Sequence, residues 1–136
     1  MKELTVQAKI ENIPVVTAFI DAELEALNCP MKAQMQIDVA IDELLSNIAH
    51  YAYPDETGEV TVQFDYDEAT HMVSITFIDS GIPFDPLKKG DPDLTVSADE
   101  REIGGLGIFM VKKTMDSMDY RYENGCNILT IQKRVG

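Results

Sequence analysis

Basic residues are scarce in this chain of 136 residues. Its 11 lysines and arginines stand against 24 aspartates and glutamates, which gives a formal net charge of -13. A chain with this charge repels the phosphates of nucleic acids and anionic membrane surfaces, so direct binding to either is not expected. The acidic surface either keeps the protein in solution or steers it towards a basic protein partner.

Cysteines and long apolar runs are also scarce. Cys29 and Cys126 are too few and too far apart for a metal-binding cluster, and they fit two reduced thiols, so no disulfide is expected. The chain lacks an apolar run of the roughly 18 residues that a membrane helix needs, and it begins without the apolar segment of a signal peptide. These absences predict a cytoplasmic protein.

The composition is nevertheless that of a protein with a core. Hydrophobic residues make up 45% of the chain and charged residues 26%, values typical of folded globular proteins. A length of 136 residues fits a single domain that spans residues 1–136. We find no internal repeat, low-complexity segment or linker in the sequence.

Hydrophobic periodicity predicts the elements of the first half. Apolar residues alternate with polar ones from Leu4 to Ile10, which predicts a strand buried on one face. A helix is expected after Asn12, a residue type common at helix N-caps, and another from Met31 to just before Pro54, because apolar residues recur there every three or four positions.

The second half predicts two hairpins around a long loop and a helix. Residues 59–79 alternate on both sides of a short acidic turn, and Asn124-Gly125 is a strong signal for a tight turn near the end. Residues 104–118 carry helical periodicity, but residues 78–104 carry none, and loops of that length are usually functional or disordered. This order predicts an α+β fold with helices on one face of a sheet, a two-layer α/β sandwich.

A line of polar side chains follows the second predicted helix. Glu43, Asn47 and His50 lie about 100° around the helix from its apolar stripe, at the rim of the core. A carboxylate can take a proton, and an amide oxygen can ligate a hard cation such as Mg²⁺. The alternative is that all three are ordinary solvated surface residues.

Two glycine-containing turns could complete a ligand site. In "FIDSG", Asp79 ends an apolar strand and could accept a hydrogen bond from the exocyclic amine of a base, while Gly81 could let a flat ring approach. Such a turn is also a common strand exit. In "GGLG", Gly105 and Gly107 begin a helix whose free amides could bind phosphate without net positive charge. Neither a phosphate-loop motif nor a dinucleotide fingerprint is present.

Taken in order, the motifs Glu43-x-x-x-Asn47, Asp79-x-Gly81 and Gly105-x-Gly107 resemble the N, G1 and G2 boxes of the GHKL ATPase superfamily, which includes gyrase, histidine kinases and MutL. Within it, the stretches "DELLSNIAHYAY" and "GGLGIFMVKKTMD" are most similar to bacterial anti-sigma-factor serine kinases. The resemblance covers nearly the whole chain. It implies a Bergerat-type ATP-binding fold, with a mixed sheet of about five strands and three helices on one face.

The resemblance implies ATP and Mg²⁺ as cofactors and gives roles to individual residues. Glu43 matches the general base, and Asn47 matches the Mg²⁺-binding amide. His50 falls where related histidine kinases often place a phosphate-contacting lysine. Asp79, with Gly81 beside it, matches the carboxylate that recognises the adenine amino group.

The remaining implied roles belong to the later motifs. Thr130 falls near a threonine that often supports the adenine pocket. The glycine-led turn of Gly105, Leu106 and Gly107 matches the phosphate-binding segment, and residues 82–103 match the ATP lid. The kinase subfamily carries an arginine very close to these glycines, whereas here Arg101 is followed by Glu102 and Ile103. Lys88 and Lys89 are alternative lid cations, or merely solvated.

The leading hypothesis is an ATP-dependent serine/threonine protein kinase that is also an anti-sigma factor. The resemblance implies a sigma factor and a small antagonist protein as partners, and a homodimer. One alternative is a nucleotide-gated regulatory module that sequesters a partner without phosphorylating it. Another is a plain ATPase, or a detached catalytic domain that works with a histidine-bearing partner.

Overall fold

The computed structural model describes residues 1–88 and 105–136, with only the backbone of Lys88, Gly105 and Leu106. The elements of these ranges are β1 (Lys2–Gln7), α1 (Ile13–Ala26), α2 (Met31–Tyr51), β2 (Glu59–Asp67), β3 (Met72–Asp79), α3 (Gly105–Thr114), β4 (Ser117–Glu123) and β5 (Cys126–Arg134). Short 3₁₀ turns cover Ile10–Asn12 and Pro86–Lys88. No helix of the described ranges has the length and apolar composition needed to cross a membrane.

The strands form one sheet in the order β1-β2-β3-β5-β4. Every neighbouring pair is antiparallel, so the α+β class is confirmed while the expected mixed sheet is wrong. The physical reason is the tight connections. Two short hairpins, β2–β3 and β4–β5, join strands that can only run in opposite directions, and β5 returns antiparallel to β3.

Both predicted hairpins are confirmed, and local chemistry explains them. In the turn between β2 and β3, the Asp67 Oδ1 accepts a hydrogen bond of 2.9 Å from the Ala69 N–H, and His71 adopts a φ of 59°. Between β4 and β5, Asn124 and Gly125 have φ angles of 53° and 77°. Two successive positive φ values match the right-handed twist of the strands, and Asn-Gly adopts them readily.

The core lies between the helices and one face of the sheet. Buried residues of α1 and α2 face alternate residues of the strands: Ile13, Val16, Ile20, Leu24, Ile37, Ile41, Leu44, Val60, Val62, Phe64, Val73, Ile75, Phe77, Leu129 and Ile131. Each such side chain stabilises the fold by about 1.5–3 kcal/mol before the entropic cost of ordering it. The other sheet face carries hydroxyl pairs, such as Thr76 and Thr130 at 3.1 Å.

The ends of several elements differ from the sequence expectation. The first strand stops at Gln7, because Ile10 lies in a 3₁₀ turn and is 49% exposed. The third helix stops at Thr114 instead of reaching Met118. Just after it, the Asp116 N–H donates a hydrogen bond of 2.8 Å to the Gln132 carbonyl, which draws the chain into β4.

Candidate functional site

A narrow cleft opens where the end of α2 lies over β3 and β5. Its walls comprise Leu44, Asn47, Ile48, Tyr51, Ala52, Phe77, Asp79, Ile82, Phe84, Pro86, Tyr120, Asn127 and Leu129. The cleft has about 420 Å³ of space, part of which is open to solvent.

Asp79 is the acid of this cleft. It is the last residue of β3 and only 5% exposed. Its Oδ1 accepts two hydrogen bonds of 2.9 Å, from the Gly81 N–H and from Asn127 Nδ2. Its Oδ2 accepts none from the residues that the structure describes. Burial raises the pKa of Asp79, and the two donated bonds oppose that rise. The free oxygen suits a ligand that brings its own N–H.

Aromatic rings form one wall of the cleft. Tyr51 and Phe84 stack at a centroid distance of 5.7 Å and an interplanar angle of 26°. Tyr51 is the last residue of α2, is 41% exposed and lines the cleft. A flat apolar wall beside a single buried carboxylate is an environment that a planar heterocycle can enter.

Glu43 lies one helical turn before Asn47 and meets the start of α3. A Cβ added at Gly107 would overlap the Glu43 carboxylate, so that glycine leaves the space in which the acid sits. Burial, and after it the charge of Asp42, raise the pKa of Glu43. The structure therefore places Asn47 and Asp79 in the cleft, and it brings Glu43, one turn earlier on α2, against the first turn of α3 at Gly107.

Two of the expected site residues lie elsewhere. Thr130 faces the open side of the sheet, since the inward positions of β5 are Asn127, Leu129 and Ile131, so the structure does not bring it to the cleft. His50 is exposed and does not line the cleft. Its Nδ1 lies 2.8 Å from the Ser46 carbonyl oxygen of the same helix.

The structure gives Gly81 a packing role at the end of α2. A Cβ at Gly81 would overlap the Ala52 carbonyl oxygen, so the absence of a side chain there lets the turn after β3 pack on the end of α2. The adjacent Ile82 N–H donates a hydrogen bond of 2.9 Å to the same oxygen.

The glycine-led segment is only partly described. Gly105 and Leu106 belong to the first turn of α3, and Lys88 ends a 3₁₀ turn. Arg101, Lys89 and most of the expected lid lie outside the described residues.

Sequence reasoning missed Asn127, Tyr120 and Phe84. Asn127 is buried, and it pairs directly with Asp79 across β3 and β5. An asparagine at the first inward position after a tight turn was a usable signal. Its partner, however, depended on a strand register that no local pattern reveals.

Comparisons with known proteins agree with this geometry. The sequence profile of the histidine kinase-like ATPase domain matches residues 6–133. The chain is 24% identical over 131 residues to the serine-protein kinase RsbW of Bacillus cereus (strain ATCC 10987 / NRS 248), covering 93% of this chain and 81% of that protein. RsbW of Bacillus thuringiensis (strain Al Hakam) is 23% identical over the same length.

Solved structures share the fold. The RsbU and RsbW domains of Rv1364c from Mycobacterium tuberculosis match with a TM-score of 0.64 and 16% identity, over 99% of this chain but only 33% of that chain. The histidine kinase domain of a blue-light activated kinase from Erythrobacter litoralis EL346 gives a TM-score of 0.57 at 18% identity, over 78% of this chain and 46% of that one. The chain therefore belongs to the family of histidine kinase-like ATPase domains, as the order of its three motifs predicted.

Proposed function

We propose that this protein is an ATP-dependent serine/threonine kinase that phosphorylates a small antagonist protein and, as an anti-sigma factor, sequesters a sigma factor. The observation that carries the proposal is the contact between Glu43 and the first turn of α3, where a Cβ at Gly107 would overlap the carboxylate. That contact brings a proton acceptor to the helix start that would hold the phosphates. The serine-protein kinase relatives support the same activity.

The cleft is suited to the base of ATP. Asp79 Oδ2 can accept a hydrogen bond from the adenine amino group, and Tyr51 and Phe84 offer a ring face. The free N–H groups of the first turn of α3 can receive the phosphates, with glycines at positions 105 and 107 allowing close approach. This backbone site answers the problem that a chain of charge -13 poses for an anionic ligand.

Asn47 fits the role of Mg²⁺ ligand. It lines the cleft one turn after Glu43, and its side-chain amide makes no hydrogen bond to any described residue. The described residues contain no group of three His, Cys, Asp or Glu side chains that could hold a metal ion by themselves. A Mg²⁺ ion that binds one protein oxygen normally takes its other ligands from phosphates and water. Bound there, it would neutralise phosphate charge.

Glu43 would accept the proton of the acceptor serine. Because burial raises its pKa above the ordinary value, the carboxylate is a stronger base than an exposed glutamate. Its place against α3 positions it beside the phosphate-binding turn, where the acceptor hydroxyl must arrive. Positioning and charge neutralisation would supply most of the catalysis.

The second candidate is a nucleotide-gated module that binds a partner without transfer. The observation that favours it is the position of Arg101, which is separated from the glycine-led segment by Glu102 and Ile103. In both candidates a sigma factor, an antagonist protein and a second copy of this chain are the proposed partners.

A transfer assay separates these candidates. We would incubate the protein with Mg²⁺, γ-labelled ATP and a purified anti-sigma-factor antagonist protein, comparing wild type with Glu43→Gln. We expect label on a serine of the antagonist, and a loss of about 100-fold or more in Glu43→Gln with unchanged nucleotide affinity. Glu68→Gln, the same change at an exposed glutamate in the turn between β2 and β3, is the matched control and should stay close to wild type. Label on histidine, or nucleotide binding without transfer by the wild type, would contradict the kinase assignment.

A further inference from the structure

We propose that Asn127 determines which nucleobase the cleft accepts, by holding Asp79 with one oxygen free and anchoring the Phe84 side of the aromatic wall. The inference rests on the proposed binding of a nucleotide at Asp79 and adds a specificity-determining residue to it. Asn127 is 5% exposed and lies directly opposite Asp79 in the sheet.

Every hydrogen-bonding position of the Asn127 side chain is used. Its Nδ2 donates bonds of 2.9 Å to Asp79 Oδ1 and to the Ile82 carbonyl oxygen. Its Oδ1 accepts a bond of 3.1 Å from the Phe84 N–H and another from the Tyr120 hydroxyl. A side-chain amide offers two donor hydrogens and two lone pairs, so Asn127 has nothing left for a ligand. It is a positioning residue that acts through Asp79.

The first consequence concerns the orientation of Asp79. Asn127 and the Gly81 N–H both donate to Oδ1, which leaves Oδ2 as the oxygen available to a ligand. Adenine presents an amino group, a donor, at the ring position where guanine presents a carbonyl oxygen, an acceptor. A carboxylate oxygen fixed at that point binds the first and repels the second. Selectivity for adenine therefore depends on Asp79 keeping this orientation.

The second consequence concerns the wall of the cleft. Asn127 bonds to both Ile82 and Phe84, so it ties the segment after β3 to the neighbouring strand β5. Phe84 in turn stacks on Tyr51. The Asn127 side chain thus fixes both Asp79, which accepts from the edge of the base, and Phe84, whose ring lies beside the face of the base. Removing this side chain should weaken both contacts with the base.

Asp79 must also stay ionised to accept from an amine. The bond from Asn127 lowers the pKa of Asp79 against the rise caused by burial, so its loss raises that pKa further. The titratable groups that interact with its charge are Tyr53 and Tyr120. Burial raises the pKa of both tyrosines above the ordinary 10.0, so the phenols stay neutral from pH 6 to 8. In a variant without Asn127, Asp79 should therefore take up a proton at a higher pH than in wild type. As the pH is lowered, the variant should lose adenine binding before wild type does.

The test is calorimetry with Mg-ADP and Mg-GDP at about pH 6, 7 and 8. Asn127→Leu, close in size, should lose about tenfold or more in ADP affinity with little change for GDP, and its ADP affinity should fall more steeply towards pH 6 than that of wild type. Tyr120→Phe removes only the hydroxyl donor and should lose less. The matched control is Gln132→Met, which removes an amide with two bonds on the open face of the same strand.

Each outcome decides between the proposals. If wild type binds neither nucleotide, the proposed function fails and the inference with it. If wild type prefers ADP but Asn127→Leu keeps its preference and its pH profile, only the inference is overturned. An equal loss in Gln132→Met would also overturn it. Should Asn127→Leu fail to fold by circular dichroism, Tyr120→Phe decides: an unchanged ratio of ADP to GDP affinity contradicts the role of Asn127.

Discussion

At the scale of single residues, two glycines leave room for different neighbours. A Cβ at Gly107 would overlap the Glu43 carboxylate, which is the mobile end of a side chain, whereas a Cβ at Gly81 would overlap the Ala52 carbonyl, which is backbone. The first neighbour can swing away at little cost, but the second cannot move without shifting α2. The two positions therefore separate an effect on the site from an effect on the fold.

We predict that Gly107→Ala keeps the fold but impairs the chemistry. Alanine favours a helix over glycine by about 1 kcal/mol, which should offset the cost of moving Glu43, so thermal unfolding should change little. Displacing the proton acceptor should lower the rate of phosphoryl transfer by about tenfold or more. Gly81→Ala is the comparison and should destabilise by about 1–3 kcal/mol. A Gly107→Ala protein with wild-type transfer would show that Glu43 is not held there for catalysis.

Sequence alone indicated the site residues that can be recognised from the local sequence pattern. Glu43, Asn47 and Asp79 stand out because each interrupts a helical or strand pattern with a functional group. Asn127 and Phe84 do not stand out, because their importance comes from the pairing of β3 with β5 and from the path of the chain after Asp79.

At the scale of elements, the contact between α1 and α2 contains a pair of acids. The Oδ1 atoms of Asp21 and Asp38 are both buried, and these two atoms have no hydrogen-bond partner among the residues that the structure describes. Burial first, and then the hydrogen bond and charge of Asp21, raise the pKa of Asp38 to about 7. The two carboxyl groups are most stable when they share one proton, because a protonated Asp38 can donate a hydrogen bond to Asp21.

The folded-state pKa of Asp38 lies above the ordinary 3.8, so the stability that this proton contributes is complete below about pH 4 and is lost as the pH rises towards 7. We predict that Asp38→Asn, whose amide can donate to Asp21 at any pH, raises the melting temperature at pH 8 and gives a smaller gain at pH 5. Asp42→Asn, exposed on the same helix, should show no such trend. An equal effect of Asp38→Asn at both pH values would contradict the shared proton.

The elements themselves could largely be predicted from sequence, and their limits could not. The amphipathic pattern of α2 and the Asn-Gly turn before β5 are local signals, and both elements form where they indicate. The end of α3 is different. Met118 continues the helical spacing, but hydrogen bonds to β5 draw the chain into a strand there, and that competition depends on contacts distant in sequence.

At the scale of the whole molecule, the sheet and its helical layer bring together three short motifs that are far apart in the chain. The antiparallel order places the end of β3 between β2 and β5, beneath the end of α2, and α3 then meets α2 at Glu43. The surrounding charge of -13 opposes any anionic ligand, so affinity must come from the cleft and from backbone amides.

The most direct test of this account is calorimetry of wild type and Asp79→Asn with Mg-ADP and Mg-GDP. In the variant, the amide oxygen can take the bonds from Gly81 and Asn127, which leaves an NH₂ group where Oδ2 faces the cleft. We predict that wild type prefers ADP, and that Asp79→Asn loses about tenfold or more in ADP affinity while its relative affinity for GDP rises. Equal ADP affinity in the two proteins, or no heat from ADP with wild type, would contradict the account.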